Sequence, residues 1–159
     1  MKEEKSSLPE HTEQKRALPS RQQEAVASIL RATAHVRRFG LPVFDQHGIT
    51  SQQYNVFRIL RGAGTGGLPT LDIAERMIDH TPGITRLLDR LEVKKLVRRE
   101  RPSQPWRQVL CYVTKAGLDL LSKLDTPLKN VASQALHTLN ESEVDELIRL
   151  LERLLQAKE

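Results

Sequence analysis

The spacing of the apolar residues changes twice in the middle of this 159-residue chain. Apolar residues first recur at helical spacing, at Ile84, Leu87, Leu88 and Leu91. That spacing predicts a helix with one buried face. From Leu96 the alternation has a period of two, and the segments 96–101 and 107–113 are rich in β-forming residues, which predicts a hairpin. Helical spacing returns at Thr114, so two strands are predicted between helices.

Local start and stop residues predict the helices on the N-terminal side of this region. Ser20 followed by Gln23 is a capping-box pattern, and it predicts a first helix over residues 20–39 that Gly40 and Pro42 end. The same box at Thr50 and Gln53 predicts a second helix. A short third helix is predicted from Thr70 to Met77.

The fourth and last helices have start residues of their own. Thr81 is the predicted N-cap of the helix with the Ile84 to Leu91 face, with Pro82 at its first position. Asn140 with Glu143 predicts the start of the last helix. That helix carries an unbroken apolar stripe, made of Val144, Leu147, Ile148, Leu151, Leu154 and Leu155. This stripe has two interpretations, packing within one subunit or pairing of two subunits, and the little core left to cover favours a dimer.

Two short helices, a tight turn and a hairpin follow one another in the order of a winged helix-turn-helix. We therefore predict a mainly α fold with a small β-hairpin: a winged helix-turn-helix DNA-binding lobe plus N- and C-terminal dimerisation helices. The predicted domains are a flexible tail (1–19), an N-terminal dimerisation helix and connector (20–48), the winged helix-turn-helix (49–115) and C-terminal dimerisation helices (116–159).

Positive charge is concentrated in the same central region. The whole chain has a net charge of +5, whereas residues 81–115 contain nine cationic and three anionic side chains. Most charge runs are solvated surface faces, but a cationic helix beside a hairpin is typical of a protein that binds double-stranded DNA. Arg86 and Arg90 lie one turn apart on the predicted outer face, where they could contact guanine edges or phosphates.

Residues 68–114 resemble the reading head of a known family. The run HTPGITRLLDRLEVKKLVRRERPSQPWRQVLCYVT is similar to the recognition helix and wing of the MarR (multiple antibiotic resistance regulator) family, and LPTLDIAERM to the helix before it. The resemblance implies a homodimer with interlocking terminal helices that binds palindromic DNA and is released by small effectors. Two positions depart from the family pattern: Lys95 replaces a glycine, and Pro105-Trp106-Arg107 replaces an Asp-x-Arg motif.

The predicted function is therefore a sequence-specific transcriptional regulator, most simply an effector-responsive repressor that acts in the cytoplasm without a membrane span. The residues predicted to contact DNA are Thr70, Thr81, Pro82, Gly83, Thr85, Arg86, Asp89, Arg90, Arg101, Gln104, Trp106 and Arg107. An aromatic cluster near the first two helices has two interpretations, a core or an effector pocket. The effector candidates are His35, Phe39, Phe44, Tyr54 and Phe57.

Two other functions remain as alternatives. The same fold could serve as an architectural or protein-docking module. A small ligand-binding or redox enzyme would use the glycine run at residues 62–67, but a dinucleotide site needs that run between a strand and a helix, and here two helices are predicted around it.

The chain shows no sequence pattern for a catalytic triad, a metal site or a cofactor. Its five histidines have no metal-ligand spacing. Cys111 alternates with Leu110 and Tyr112 and shares a strand face with Val109 and Val113, which favours a packed thiol over a redox sensor.

Overall fold

A computed structural model describes residues 20–79, 83–101 and 108–156. These ranges form helices and three short strands. The helices are α1 (Arg21–Gln46), α2 (Ser51–Ala63), α3 (Thr70–Arg76), α4 (Ile84–Val93), α5 (Lys115–Ala135) and α6 (Glu141–Leu155). The strands are β1 (Leu68–Pro69), β2 (Val97–Glu100) and β3 (Leu110–Val113). The predicted class, mainly α with a small sheet, is confirmed. The predicted tail at residues 1–19 lies outside the described residues.

The chain divides into two compact units, residues up to Arg38 and residues from Phe39 onward. The described part of the first unit is the N-terminal part of α1. It begins at Ser20, whose Oγ accepts a hydrogen bond from the Gln23 N–H at 3.2 Å, as predicted. Its apolar side chains Val26 and Leu30 are exposed. None of the described helices has the length and apolarity to cross a membrane.

The second unit contains the hydrophobic core, to which every helix from α2 to α5 and all three strands contribute. The fully buried side chains are Val56, Phe57, Leu60, Ile73, Leu88, Leu91, Val97, Cys111, Leu121 and Leu124. Arg61 on α2 also donates two hydrogen bonds from Nη1, at 3.2 and 3.0 Å, to the Asp125 carboxylate on α5. The reading-head helices and α5 thus share one core.

The first helix extends further than predicted. Gly40 and Pro42 were expected to end it near residue 39, but α1 continues to Gln46. The missing Cβ of Gly40 leaves room for the Phe44 ring, which a Cβ atom would approach to 3.3 Å. The helix ends after Gln46, and the chain turns at Gly48, where φ is +63°. The N–H groups of Gly48 and Ile49 donate to the carbonyls of Asp45 and Phe44. Pro42 therefore only removes one hydrogen bond within a helix whose last turn packs on the core.

The start of the fourth helix also differs from the prediction. Gly83 is its N-cap, with φ +101°, and the first helical residue is Ile84. The described helix thus starts two residues after the predicted position, and a glycine with left-handed backbone is its N-cap in place of Thr81. Thr81 and Pro82 themselves lie outside the described residues. The capping boxes predicted for α2 at Thr50 and for α6 at Asn140 are confirmed.

The sheet has three antiparallel strands in the order β1-β3-β2, whereas the sequence predicted only a hairpin. β2 pairs with β3 as predicted, with Val97 opposite Val113. The added strand β1 has two residues, with Leu68 opposite Cys111 and Pro69 opposite Leu110. A two-residue strand has no period to detect, and Pro69 is tolerated because β1 lies at an edge of the sheet.

The end of α4 is closed by a Schellman motif centred on Lys95. The Lys95 N–H bonds to the Glu92 carbonyl at 2.8 Å, and the Leu96 N–H bonds to the Leu91 carbonyl at 3.0 Å. Lys95 has φ +57° and is the non-glycine residue with positive φ in the described ranges. The structure therefore keeps the left-handed turn that glycine usually makes. The Cβ atom of Lys95 makes this conformation sterically unfavourable.

Replacing Lys95 by glycine is expected to raise the free energy of unfolding by about 1 kcal/mol, since glycine removes the Cβ clash of the left-handed conformation. Urea unfolding at fixed protein concentration measures this difference. Lys95→Ala is the matched control, because alanine removes the same side chain and keeps the Cβ. Equal free energies of unfolding for the two variants would show that the left-handed backbone at residue 95 is not strained.

The same end of α4 is bonded to the start of α5. Thr114 is the N-cap of α5 and accepts a hydrogen bond from the Gly117 N–H at 3.1 Å. Its own Oγ1 donates to the Lys95 carbonyl at 2.8 Å, and its N–H donates to the Leu96 carbonyl at 3.1 Å. A Cβ on Gly117 would lie 2.4 Å from the Leu96 carbonyl oxygen. Backbone therefore packs on backbone at this junction.

Candidate nucleic-acid interface

Helix α4, which follows α3 in the chain, has one face in the core and the opposite face exposed. Leu87, Leu88 and Leu91 of α4 are buried, which confirms the predicted inner face. The Ile78 N–H in the turn donates to Asn55 Oδ1 on α2 at 2.8 Å. Opposite the buried leucines lies an exposed set that we call the outward face, made of Thr85, Arg86, Asp89, Arg90 and Val93. The outward face carries two cations and one anion.

An arginine that the sequence analysis did not single out joins the outward face to β2. Arg99 Nη2 lies 2.5 Å from Asp89 Oδ1 and 2.6 Å from Glu92 Oε2. Its Nε donates to Glu92 Oε2 at 2.9 Å, and its backbone N–H donates to Glu92 Oε1 at 3.2 Å. The hydrogen bond to Glu92 is the largest cause of the raised pKa of Arg99, and Asp89 raises that pKa further. We call these three residues the Arg99 clasp.

The hairpin of β2 and β3, which we call the wing, lies beside α4. The Arg98 guanidinium stands 4.1 Å from the centre of the Tyr112 ring and pairs with Glu100. Arg101 is exposed where β2 ends. A cleft of about 380 Å³ lies between α3, α4 and the wing, and Thr70, Thr85, Arg99 and Arg101 are among its lining residues. The cleft therefore combines two arginines with the apolar side chains of Pro69, Leu71 and Val109.

The predicted DNA-contacting residues have these positions. Thr85, Arg86, Asp89 and Arg90 share the outward face, Gly83 is exposed at its start, and Arg101 is at the edge of the wing. Thr70 opens α3 with its Oγ1 3.7 Å from Cys111 Sγ. Four predicted contacts, besides Thr81 already named, lie outside the described residues: Pro82, Gln104, Trp106 and Arg107.

Cys111 is fully buried, which confirms the packed thiol. Burial is the main cause of its raised pKa, which the hydrogen bond with Thr70 opposes. A protonated, enclosed thiol is a poor nucleophile and a poor redox sensor. Within residues 20–79, 83–101 and 108–156, no group of three His, Cys, Asp or Glu side chains could hold a metal ion.

The glycine run joins α2 to the edge strand β1 through a short 3-10 turn at Gly64–Gly66. This connection runs from a helix to a strand, the reverse of the order in a dinucleotide-binding turn. Gly67 packs against the wing, and a Cβ there would lie 2.5 Å from the Tyr112 ring. The glycine run therefore lets the chain pass close to the wing, so that β1 can pair with β3.

Among the effector candidates, Phe57 is a core residue with an exposed fraction of 0%. Phe44 and Tyr54 are half-buried against that core, with ring centroids 5.5 Å apart. Phe39 is half-buried, and His35 in the first unit is exposed. The core interpretation of the aromatic cluster is correct for Phe57, whereas Phe44 and Tyr54 keep a partly open surface.

A buried helix-turn-helix base, an exposed cationic helix face and an adjoining wing define a winged helix-turn-helix protein of the DNA-binding class. No family model matches this sequence. A MarR transcription factor from Planctomyces limnophilus is 38% identical to it, with a TM-score of 0.66 and coverage of 85% of this chain and 98% of that one. The chain belongs to the MarR family of transcription regulators.

Two further relatives agree with this assignment, one by its solved structure and one by its sequence. The structure of NadR in complex with 4-hydroxyphenylacetate is 27% identical, with a TM-score of 0.65 and coverage of 84% of this chain and 92% of that one. The homoprotocatechuate degradative operon repressor of Escherichia coli is 27% identical over 128 residues, 80% of this chain and 85% of the repressor. The protein is thus a DNA-binding regulator of transcription.

Proposed function

We propose that the protein is a repressor that binds a palindromic operator as a homodimer and leaves it when a small effector binds. The observation that carries this proposal is the outward face of α4, with Arg86 and Arg90 exposed above a fully buried base. A helix of this kind fits the major groove, where an arginine can donate two hydrogen bonds to guanine. The named repressor among the relatives supports repression.

The homodimer is supported by apolar side chains of α1 and α6 that are exposed among the described residues. No residue of α6 is buried, although the helix carries a complete apolar stripe. Leu151 and Leu154 have exposed fractions of 36% and 56%. An apolar stripe of this length is typical of a subunit interface. We therefore assign dimerisation to residues 20–48 and 116–159, and DNA binding to residues 49–115.

The effector that we propose is a small aromatic acid. The 4-hydroxyphenylacetate bound to NadR is such a compound. In this chain Phe44 and Tyr54 form a tilted ring pair that is half-buried beside the core, which suits stacking on a further ring. Phe39 remains a predicted contact of the effector, and Phe57 belongs to the core against which the ring pair packs. His35 lies in the first unit and stays a prediction from sequence.

Selection of binding sites from random duplexes tests the proposal. Two-fold symmetry is expected to yield a palindrome with half-sites about 10 bp apart, or a multiple of that spacing. Recovery of only unrelated sequences would contradict the proposal and favour an architectural role.

Replacing Arg86 by alanine is expected to weaken binding to the selected operator by about 1 to 3 kcal/mol and to relax base preference at one position per half-site. Fluorescence anisotropy on duplexes substituted at each position measures both effects. Lys123→Ala, which removes an exposed cation from α5, is the control and is expected to leave operator binding unchanged. A uniform loss on all duplexes would show that Arg86 contacts only phosphate.

A further inference from the structure

The outward face contains a carboxylate where DNA would approach. Asp89 lies between Arg86 and Arg90 along the helix, and its side chain is 50% exposed. A carboxylate accepts hydrogen bonds and donates none, so in the major groove it recognises an exocyclic amino group. The usual partner of Asp and Glu is N4 of cytosine, whereas adenine N6 is usually read by Asn or Gln. An unpaired carboxylate also repels the phosphates on both sides of the groove.

The Arg99 clasp engages this carboxylate from the wing. The guanidinium lies 2.5 Å from Asp89 Oδ1 and has its second contact with Glu92, which follows Asp89 by one turn. The Arg99 side chain has an exposed fraction of only 23%, so it lies between helix and strand and is partly shielded from water. Arg99 thus holds Asp89 toward the wing and compensates its charge.

We infer that Arg99 withdraws Asp89 from base recognition, so that the operator is read by the two arginines of the outward face without a cytosine contact. This inference rests on the proposed function of α4 as the helix that reads the operator. Arg99 acts through Asp89, and it is therefore a positioning residue that determines specificity. Asp89, which the sequence predicted as a DNA contact, is assigned here to the clasp.

The test compares sites selected from random duplexes by the wild type, Asp89→Ala, Arg99→Met and the double variant. Asp89→Ala is expected to select the wild-type operator, because a masked carboxylate reads no base and alanine adds no group that could read one. Arg99→Met is expected to bind the operator about tenfold more weakly, as the released charge meets phosphate. It should also enrich cytosine at one position per half-site.

The double variant separates this role from a structural one. If Arg99 acts by masking Asp89, removing the carboxylate restores most of the affinity that Arg99→Met loses and abolishes the cytosine preference. A double variant as weak as Arg99→Met, or an Arg99→Met variant that binds as the wild type does, overturns the inference. Circular dichroism establishes that each variant is folded.

Asp89→Ala alone decides the question if Arg99→Met does not fold. An operator that loses base preference at one position in Asp89→Ala shows that the carboxylate reads a base, which overturns the inference while the wild-type palindrome still supports the proposed function. A wild type that selects no palindrome overturns the proposed function, and the inference with it.

Discussion

Replacing Leu151 and Leu154 together by aspartate is expected to convert the protein to a monomer and to lower its affinity for the full operator by about 100-fold or more. Both leucines are in the uncovered stripe of α6. Two carboxylates in an apolar interface cost several kcal/mol, since they lose water without gaining partners. A monomer then binds each half-site separately and loses the gain from two linked contacts, which reaches 10² to 10⁴.

Analytical ultracentrifugation gives the oligomeric state, and anisotropy on the operator gives the affinity. The matched control is the pair Ser142→Asp and Gln156→Asp, which adds the same charge to the first turn of α6 and to its C-cap, away from the stripe. Because α6 contributes no buried residue, the core of the second unit should fold in both variants. A stripe variant that remains dimeric would show that α6 is not the interface.

Replacing Phe57 by alanine is expected to lower the free energy of unfolding by about 3 to 5 kcal/mol. The ring is fully buried in the core of the second unit, so its removal leaves a cavity that the surrounding elements cannot fill without moving. Urea unfolding midpoints at one protein concentration measure the change, since dimerisation would make stability depend on concentration.

Phe44→Ala is the matched control, because it makes the same chemical change at a half-buried ring. Its loss of stability should be about half as large. The pair of variants also separates core from effector site. If Phe57→Ala loses less than about 1 kcal/mol, then the ring lines an open pocket and the core assignment is wrong.

The features that sequence could predict are those whose partners lie close in the chain. The capping boxes at Thr50 and Asn140 join atoms within three residues, so the letters alone identify them. The buried face of α4 follows from helix geometry, which makes residues three and four apart neighbours. The left-handed turn at Lys95 was visible because the residue stands where a glycine is usual.

The features that sequence could not predict depend on contacts between distant segments. β1 exists because Leu68 meets Cys111 across the sheet, and no local pattern marks a strand of two residues. Arg99 is one of nine cations in its region, and only the fold of the wing selects its partners. The i, i+3 spacing of Asp89 and Glu92 places two carboxylates on one side of the helix, which is a weak indication that a cation pairs with them.

The junction of α4 with α5 has a mechanical consequence. Thr114 ties the carbonyls of Lys95 and Leu96 to the first turn of α5, and the missing side chain of Gly117 lets the two backbones touch. Close-packed backbone deforms far less easily than loops or exposed side chains do. A tilt of α5 at this end is therefore expected to carry α4 with it as a rigid unit, without unfolding of either helix.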